Sequence, residues 1–152
     1  MFDKIDRAIL TALQKDGRIP NVQLAGRVGL SESACLRRVK ALEASGVIDR
    51  YVMLMDEAAA GRPDCVFVQV ELNNQQKETL RRFEDAVRRV PEIMECYLMS
   101  GDQDYMLRVN VKDARDYERV HMEQITGLPG VSRIKSNFTL RTVLKKTEIP
   151  LN

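Results

Sequence analysis

Residues 21–46, NVQLAGRVGLSESACLRRVKALEASG, carry two short helical patterns separated by a glycine, and they decide the fold predicted for the N-terminal part of the chain. The first pattern starts at Asn21, the predicted N-cap, and ends at Gly29. Ser31 is expected to open the second helix, and Gly46 to end it in a left-handed conformation. Two helices joined by a turn of about three or four residues that contains glycine are typical of a helix-turn-helix.

A further helical pattern precedes this pair, over residues 3–15. Asp3 can cap its N-terminus, and Asp6, three residues later, completes a capping box. The apolar residues of the three patterns recur at helical spacing and predict one small core. In the helix that starts at Asn21, the predicted buried stripe consists of Val22, Leu24, Ala25 and Val28.

The helix that follows Ser31 has two chemically different faces. Cys35, Val39 and Leu42 recur at i, i+4 and i+7, so they share one apolar face. The opposite face gathers a hydroxyl, a guanidinium and an ammonium group, from Ser33, Arg37 and Lys40. Such a helix fits the major groove of DNA, which is about 12 Å wide. An ordinary solvated helix face is the alternative, and the helix-turn-helix context favours DNA binding.

The side chains suggest separate tasks in DNA recognition. We expect Ser33 and Arg37 to contact base edges, because arginine can bond to guanine through two hydrogen bonds. Ser31 begins the helix, where backbone N–H groups can bind phosphate. Further phosphate contacts are predicted for Asn21, Arg38 and Lys40.

The composition sets limits on other functions. The chain has 152 residues, 44% of them hydrophobic, and a net charge of +2, all of it in residues 1–62. This asymmetry is too weak to predict DNA binding by itself. No apolar run could span a bilayer and no secretory signal begins the chain, so we expect a cytoplasmic protein that does not insert into membranes.

The sequence predicts no catalytic site, metal site or bound cofactor. The cysteines Cys35, Cys65 and Cys96 are far apart and odd in number, which matches neither a disulfide framework nor zinc-ligand spacing. The single histidine, His121, lies in a helical pattern without nearby metal-ligating or nucleophilic partners.

The second half of the chain predicts a different architecture. We expect a helix-turn-helix domain over residues 1–50, a linker strand and hinge over 51–63, and a second domain over 64–152. Strand and helix patterns alternate in the second domain as β-α-β-β-α-β, the ferredoxin-like order. The predicted elements after the first strand are a helix at 75–90, strands at 93–100 and 105–111, a helix at 113–126 and a last strand at 131–144. The predicted buried face of that last strand carries Ile134, Phe138 and Leu140. The fold class is therefore α+β.

The turn between the two middle strands reads Gly101-Asp102-Gln103-Asp104-Tyr105. Glycine suits a tight hairpin and aspartate favours turns, so the turn needs no ligand to explain it. The same residues suit an α-amino acid, because carboxylates accept from its ammonium group and turn N–H groups bind its carboxylate. The residues alone leave these two interpretations balanced.

The chain resembles the Lrp/AsnC family of leucine-responsive and asparagine-responsive transcription regulators over nearly its whole length. The segment DKIDRAILTALQKDGRIPNVQLAGRVGLSESACLRRVKALEASGVI resembles the family's winged helix-turn-helix half. ECYLMSGDQDYMLRVNV and GLPGVSRIKSNFTLRTV resemble its effector domain.

The resemblance implies properties that the residue pattern does not show. Family members form dimers through the C-terminal sheets, often assemble further into tetramers or octamers, and commonly regulate amino-acid metabolism. Many bind a free amino acid between dimers, which favours the pocket interpretation of the turn. Carried over to this chain, the effector-binding residues are Leu98, Gly101, Asp102, Asp104, Tyr105 and Thr126.

Two other classes of function compete with this interpretation. Asp102 and Asp104 could form an acid/base pair of an enzyme, although no histidine, nucleophile or metal ligand lies near them in the sequence. Alternatively, the chain could be a ligand-binding scaffold whose N-terminal domain binds protein. Binding that weakens steeply with salt would indicate DNA.

Overall fold

The structure, a computed structural model, describes residues 2–151. It consists of two compact units. One contains residues 2–54 together with 143–151, and the other contains residues 55–142.

The first unit is built from three helices: α1 (Lys4–Lys15), α2 (Asn21–Val28) and α3 (Glu32–Ala44). The predicted capping box of α1 is confirmed, because Asp3 and Asp6 each accept the other's backbone N–H. Gly29 and Gly46 end α2 and α3 with φ angles of 70° and 77°, in the left-handed conformation that glycine adopts without strain. The core of this unit consists of Ile9, Leu10, Ile19, Leu24, Ala25, Cys35 and Leu42.

Two predictions for α2 are wrong. The N-cap position is Pro20, which makes no side-chain capping bond, and Asn21 is the first helical residue. Val22 is 56% exposed although it fits the helical apolar spacing. The helix has only eight residues, and its core contacts come from Leu24 and Ala25, so one side chain of the apparent stripe faces solvent.

The C-terminal segment joins this first unit, whereas the sequence placed it with the second domain. The side-chain amide of Gln14 on α1 bonds to both backbone groups of Ile149, accepting its N–H at 2.6 Å and donating to its carbonyl at 3.1 Å. Leu151 packs against the helical core. These contacts join residues 135 positions apart. The Gln14 side chain supplies the hydrogen-bond partners that the Ile149 backbone would otherwise find in a helix or sheet.

The second unit is a four-stranded antiparallel sheet with helices on one face. Strand β1 (Asp64–Leu72) lies at the centre between β3 (Tyr105–Val111) and β4 (Val131–Phe138), and β2 (Ile93–Leu98) pairs with β3 at the edge. The helices are α4 (Lys77–Val87) and α5 (Ala114–Val120), the latter continuing as a π-helix over His121–Ile125. The predicted β-α-β-β-α-β order is confirmed.

Alternate residues of the central strands fill the core of the second unit. Val66, Val68 and Val70 of β1 are fully buried, and they pack in one cluster with residues of α4 and α5. The last strand is shorter than predicted: it ends at Phe138, opposite Val66, and one further bond to β1 follows, from the Thr139 N–H to the Cys65 carbonyl. Leu140 is 99% exposed and Phe138 is 45% exposed, so the expectation that both are buried is wrong.

Candidate functional site

The outer face of α3 presents unpaired cationic groups. The Ser31 hydroxyl caps the helix by accepting the Ala34 N–H at 3.3 Å. Ser33, Arg37 and Lys40 are exposed, and within residues 2–151 neither of these two cations makes an ion pair. Cys35 and Leu42 are buried on the opposite face and fix the helix on its unit. The face is therefore free to contact an anionic partner.

Arg38, the neighbour of Arg37, is placed differently. Its Nη1 atom lies 2.6 Å from Asp3 Oδ2 and 2.8 Å from Asp6 Oδ1, so it links α3 to the start of α1. The Asp6 N–H and the Arg38 guanidinium hold the pKa of Asp3 below its ordinary value of 3.8. These contacts give Arg38 a structural task, and its contact with phosphate stays a prediction.

Asn21 also bonds within its own unit. Its side-chain nitrogen donates to the Glu32 carbonyl at 2.9 Å, across the turn between α2 and α3. This bond links the first residues of the two helices and fixes their relative position. The predicted phosphate contact of Asn21 is not tested by this geometry.

One residue of the α3 face was missed by the sequence analysis. Leu36 is 44% exposed and lies three residues after Ser33, so it shares the outer face with Arg37 and Lys40. An apolar side chain in the major groove can contact the methyl group of thymine. The spacing of residues 33, 36, 37 and 40 carried this signal, but the sequence analysis considered only the polar side chains of that face.

The turn between β2 and β3 is closed by backbone bonds at its ends. The Met99 N–H donates to the Asp104 carbonyl at 2.8 Å, and the Asp104 N–H donates to the Val70 carbonyl at 3.0 Å. Among the residues that the structure describes, no acceptor pairs with the N–H groups of residues 100–103. Gly101 is exposed and lies outside the left-handed region, so the backbone does not require glycine there, contrary to the hairpin argument.

The two aspartates of this turn have opposite surroundings. Asp104 is only 9% exposed, and its carboxylate accepts the Leu72 N–H at 2.7 Å and the Gln75 amide at 2.6 Å. Asp102 is exposed and has no hydrogen-bond or ion-pair partner within residues 2–151. Asp104 thus holds the turn against the end of β1, and Asp102 is the carboxylate that a ligand can reach.

The remaining predicted effector residues do not form one cluster within the chain. Tyr105 is 1% exposed and donates its hydroxyl to Glu84 Oε1 at 2.7 Å, while burial raises the pKa of its phenol. Leu98 is 61% exposed at the end of β2. Thr126 follows the π-helix and donates to the Met122 carbonyl at 2.9 Å, without a hydrogen bond to the turn among the described residues.

Within residues 2–151, no three or more His, Cys, Asp or Glu side chains gather closely enough to hold a metal ion. No helix in the same range has both the length and the apolar character needed to cross a bilayer.

Comparison with known families gives two matches that together cover most of the chain. Residues 2–49 match the family described as winged helix-turn-helix DNA-binding, and residues 65–149 match the Lrp/AsnC ligand binding domain. The chain belongs to the Lrp/AsnC family. This Lrp/AsnC protein is therefore a DNA-binding transcription regulator with the family's ligand-binding domain, and both the resemblance and the α+β fold predicted from the sequence are confirmed.

Individual relatives agree with this assignment over 90% or more of their length. The Lrp/AsnC chain is 43% identical to the Bkd operon transcriptional regulator of Pseudomonas aeruginosa, covering 99% of this chain and 98% of that protein. It is 40% identical to the leucine-responsive regulatory protein of Escherichia coli K12, covering 97% and 90%.

Solved structures show the same fold. A transcriptional regulator from Neisseria meningitidis in complex with L-Met matches with a TM-score of 0.95 and 33% identity, covering 100% of this chain and 98% of that one. An AsnC family regulator from Agrobacterium tumefaciens matches with a TM-score of 0.93 and 37% identity, covering 98% and 97%.

Proposed function

We propose that this Lrp/AsnC regulator reads double-stranded DNA with the outer face of α3 and controls genes of amino-acid metabolism. The observation that carries the proposal is the contrast between two neighbours: Arg37 is exposed and pairs with no carboxylate within residues 2–151, whereas two carboxylates neutralise Arg38. An arginine held free on a recognition helix can bond to guanine. Lys40 adds a second cation to the same face and attracts phosphate.

The effector in this proposal is a free amino acid bound at the β2–β3 turn. The exposed Asp102 supplies an acceptor for an ammonium group, and the unpaired N–H groups of residues 100–103 supply donors for a carboxylate. The likeness to the L-Met complex from Neisseria meningitidis supports an apolar amino acid. The exposed Leu98 beside the turn suits an apolar side chain.

In this proposal, assembly of dimers couples effector binding to DNA binding. A two-fold dimer places two α3 helices about 34–36 Å apart, one turn of DNA, on a pseudo-palindromic site. Dimers associate further, into tetramers or octamers, and the effector shifts this equilibrium only if it binds one assembly more tightly than the other. The number of DNA-binding units engaged at once then changes the avidity for DNA.

A thermal-shift screen of the twenty amino acids tests the effector, since a ligand that binds only the folded protein raises the Tm. We expect one or a few amino acids to raise the Tm of the wild type, and Asp102→Asn to reduce that shift. Glu118→Gln, which removes an exposed charge on α5, is the matched control and should respond like the wild type. The absence of any shift in the wild type would contradict amino-acid sensing.

A further inference from the structure

A small cavity lies beside the β2–β3 turn, between helix α4 and strands β2 and β3. It has a volume of about 190 Å³ and is lined by Glu84, Val87, Arg88, Cys96, Leu98 and Tyr105. That volume equals roughly six water molecules at about 30 Å³ each. Leu98 ends β2 and Tyr105 begins β3, so both ends of the turn contribute to the cavity.

The wall from α4 brings opposite charges to this cavity. Glu84 and Arg88 are four residues apart on one helix face, with Cβ atoms roughly 6 Å apart. Arg88 is 68% exposed at the side chain and pairs with Asp85 at 3.0 Å. Glu84 is half-buried and holds the Tyr105 hydroxyl through Oε1, which leaves its second oxygen without a partner among residues 2–151.

The rest of the lining is apolar or weakly polar. Val87 and Tyr105 are buried, and the Cys96 thiol is half-buried. Burial, together with the nearby Glu84 charge, raises the pKa of Cys96 to about 11, so the thiol stays neutral at physiological pH. The lining therefore combines apolar side chains with two charged groups, the combination that a small zwitterion requires.

An amino-acid zwitterion needs more partners than the turn offers. Its ammonium group has three N–H donors, and its carboxylate has about four acceptor positions. Asp102 gives the ammonium group one carboxylate for its three donors, and the turn N–H groups give the carboxylate donors but no positive charge. Glu84 carries a second negative charge for the ammonium group, and Arg88 carries a positive charge for the carboxylate.

We propose that α4 forms the second wall of the effector site, where Glu84 accepts from the ammonium group and Arg88 donates to the carboxylate of a free α-amino acid. This inference rests on the proposed function and adds two charged residues that the sequence did not indicate. It restricts the effector to molecules that carry both charged groups, whatever their side chain. Amines and carboxylic acids with the same side chain should therefore bind weakly.

The test uses L-methionine as the probe and isothermal titration calorimetry of the full-length protein. Glu84→Gln keeps an acceptor for the Tyr105 hydroxyl and removes the charge, and we expect it to weaken binding at least tenfold. We expect the same loss for Arg88→Gln. Asp85→Asn breaks the ion pair of Arg88 but keeps its guanidinium, so it should bind within about twofold of the wild type, as should Arg89→Gln.

Two analogues assign each charge to its partner. 4-(Methylthio)butanoate lacks the ammonium group, so Glu84→Gln should bind it as well as the wild type does. 3-(Methylthio)propylamine lacks the carboxylate, and Arg88→Gln should likewise match the wild type with it. Unchanged L-methionine binding in both variants, with a loss in Asp102→Asn, would overturn the role of α4 and leave the proposed function standing. A wild type that binds none of the twenty amino acids would overturn both.

Discussion

Replacing Asp104 by alanine should destabilise the effector unit rather than remove a ligand contact. The carboxylate of Asp104 is buried and accepts the Leu72 N–H at 2.7 Å and the Gln75 amide at 2.6 Å. Leu72 is 8% exposed, so its N–H would lose its acceptor without gaining water, which costs about 1–3 kcal/mol. Gln75 is exposed and can turn to solvent, so its lost bond should add little.

That cost predicts a measurable shift in thermal unfolding. For a unit of this size, 1 kcal/mol corresponds to about 4–8 °C in Tm, so Asp104→Ala should melt roughly 5–20 °C lower. Asp104→Asn keeps an acceptor for the Leu72 N–H and should lose less. Asp102→Ala is the matched control, and its Tm should stay close to that of the wild type because Asp102 is exposed.

Differential scanning calorimetry without effector, followed by titration with amino acid, separates the two roles of this turn. The reasoning would be refuted if Asp104→Ala melted like the wild type but failed to bind the amino acid. In that case Asp104 would be a ligand residue, and its two hydrogen bonds would not contribute to stability.

Two further predictions concern the DNA-binding unit. Gly46→Ala should lower the free energy of unfolding by about 1–2 kcal/mol, because the space around Gly46 is open and only its left-handed backbone disfavours a side chain. Gly26→Ala, within α2, should instead raise the free energy of unfolding by about 0.5–1 kcal/mol. Urea unfolding of both variants gives the sign of each effect. The Asp3 carboxylate, whose folded pKa is lowered, contributes stability that is complete above its ordinary pKa of 3.8 and is lost as the pH falls through the lower folded value. Arg38→Ala should reduce this acid-dependent loss in a series of Tm measurements against pH, and an unchanged pH profile would contradict the link from α3 to α1.

Strong periodicity made much of the fold predictable from the sequence. Alternation of Val66, Val68 and Val70 identifies β1, because each of these side chains points to the same face. The capping residue Asp3 and the glycines at 29 and 46 mark helix ends through local chemistry alone. Each of these signals depends only on residues within one turn or one strand.

Features that depend on distant partners were not predictable. Pairing of β4 with β1 stops at Phe138, and the apolar pattern that continues to Leu140 does not show this end. Likewise, Arg37 and Arg38 are adjacent and chemically identical, and only the position of α1 decides that the second one is neutralised. The contact of Gln14 with Ile149 joins opposite ends of the chain and leaves no local signal.

The candidate sites were likewise predictable where their signal is local and not where it depends on residues distant in the sequence. The turn at 101–105 was found from its residues, but the opposite surroundings of Asp102 and Asp104 depend on the end of β1. The α4 wall was missed because its charges look like those of any solvated helix face. Its position beside Tyr105 becomes visible only when the sheet is assembled.

DNA binding by Arg37→Ala is the measurement that tests the central claim most directly. Fluorescence anisotropy would compare this variant with the wild type on a duplex that the wild type selects from a random library, over a series of salt concentrations. We expect a loss of about 1–3 kcal/mol, roughly 5- to 150-fold, on the selected duplex and a smaller loss on unrelated DNA. Arg50→Ala, which removes an exposed cation outside α3, should retain most of the affinity. Equal binding by wild type and Arg37→Ala, or wild-type binding that does not weaken with salt, would contradict DNA recognition by the α3 face.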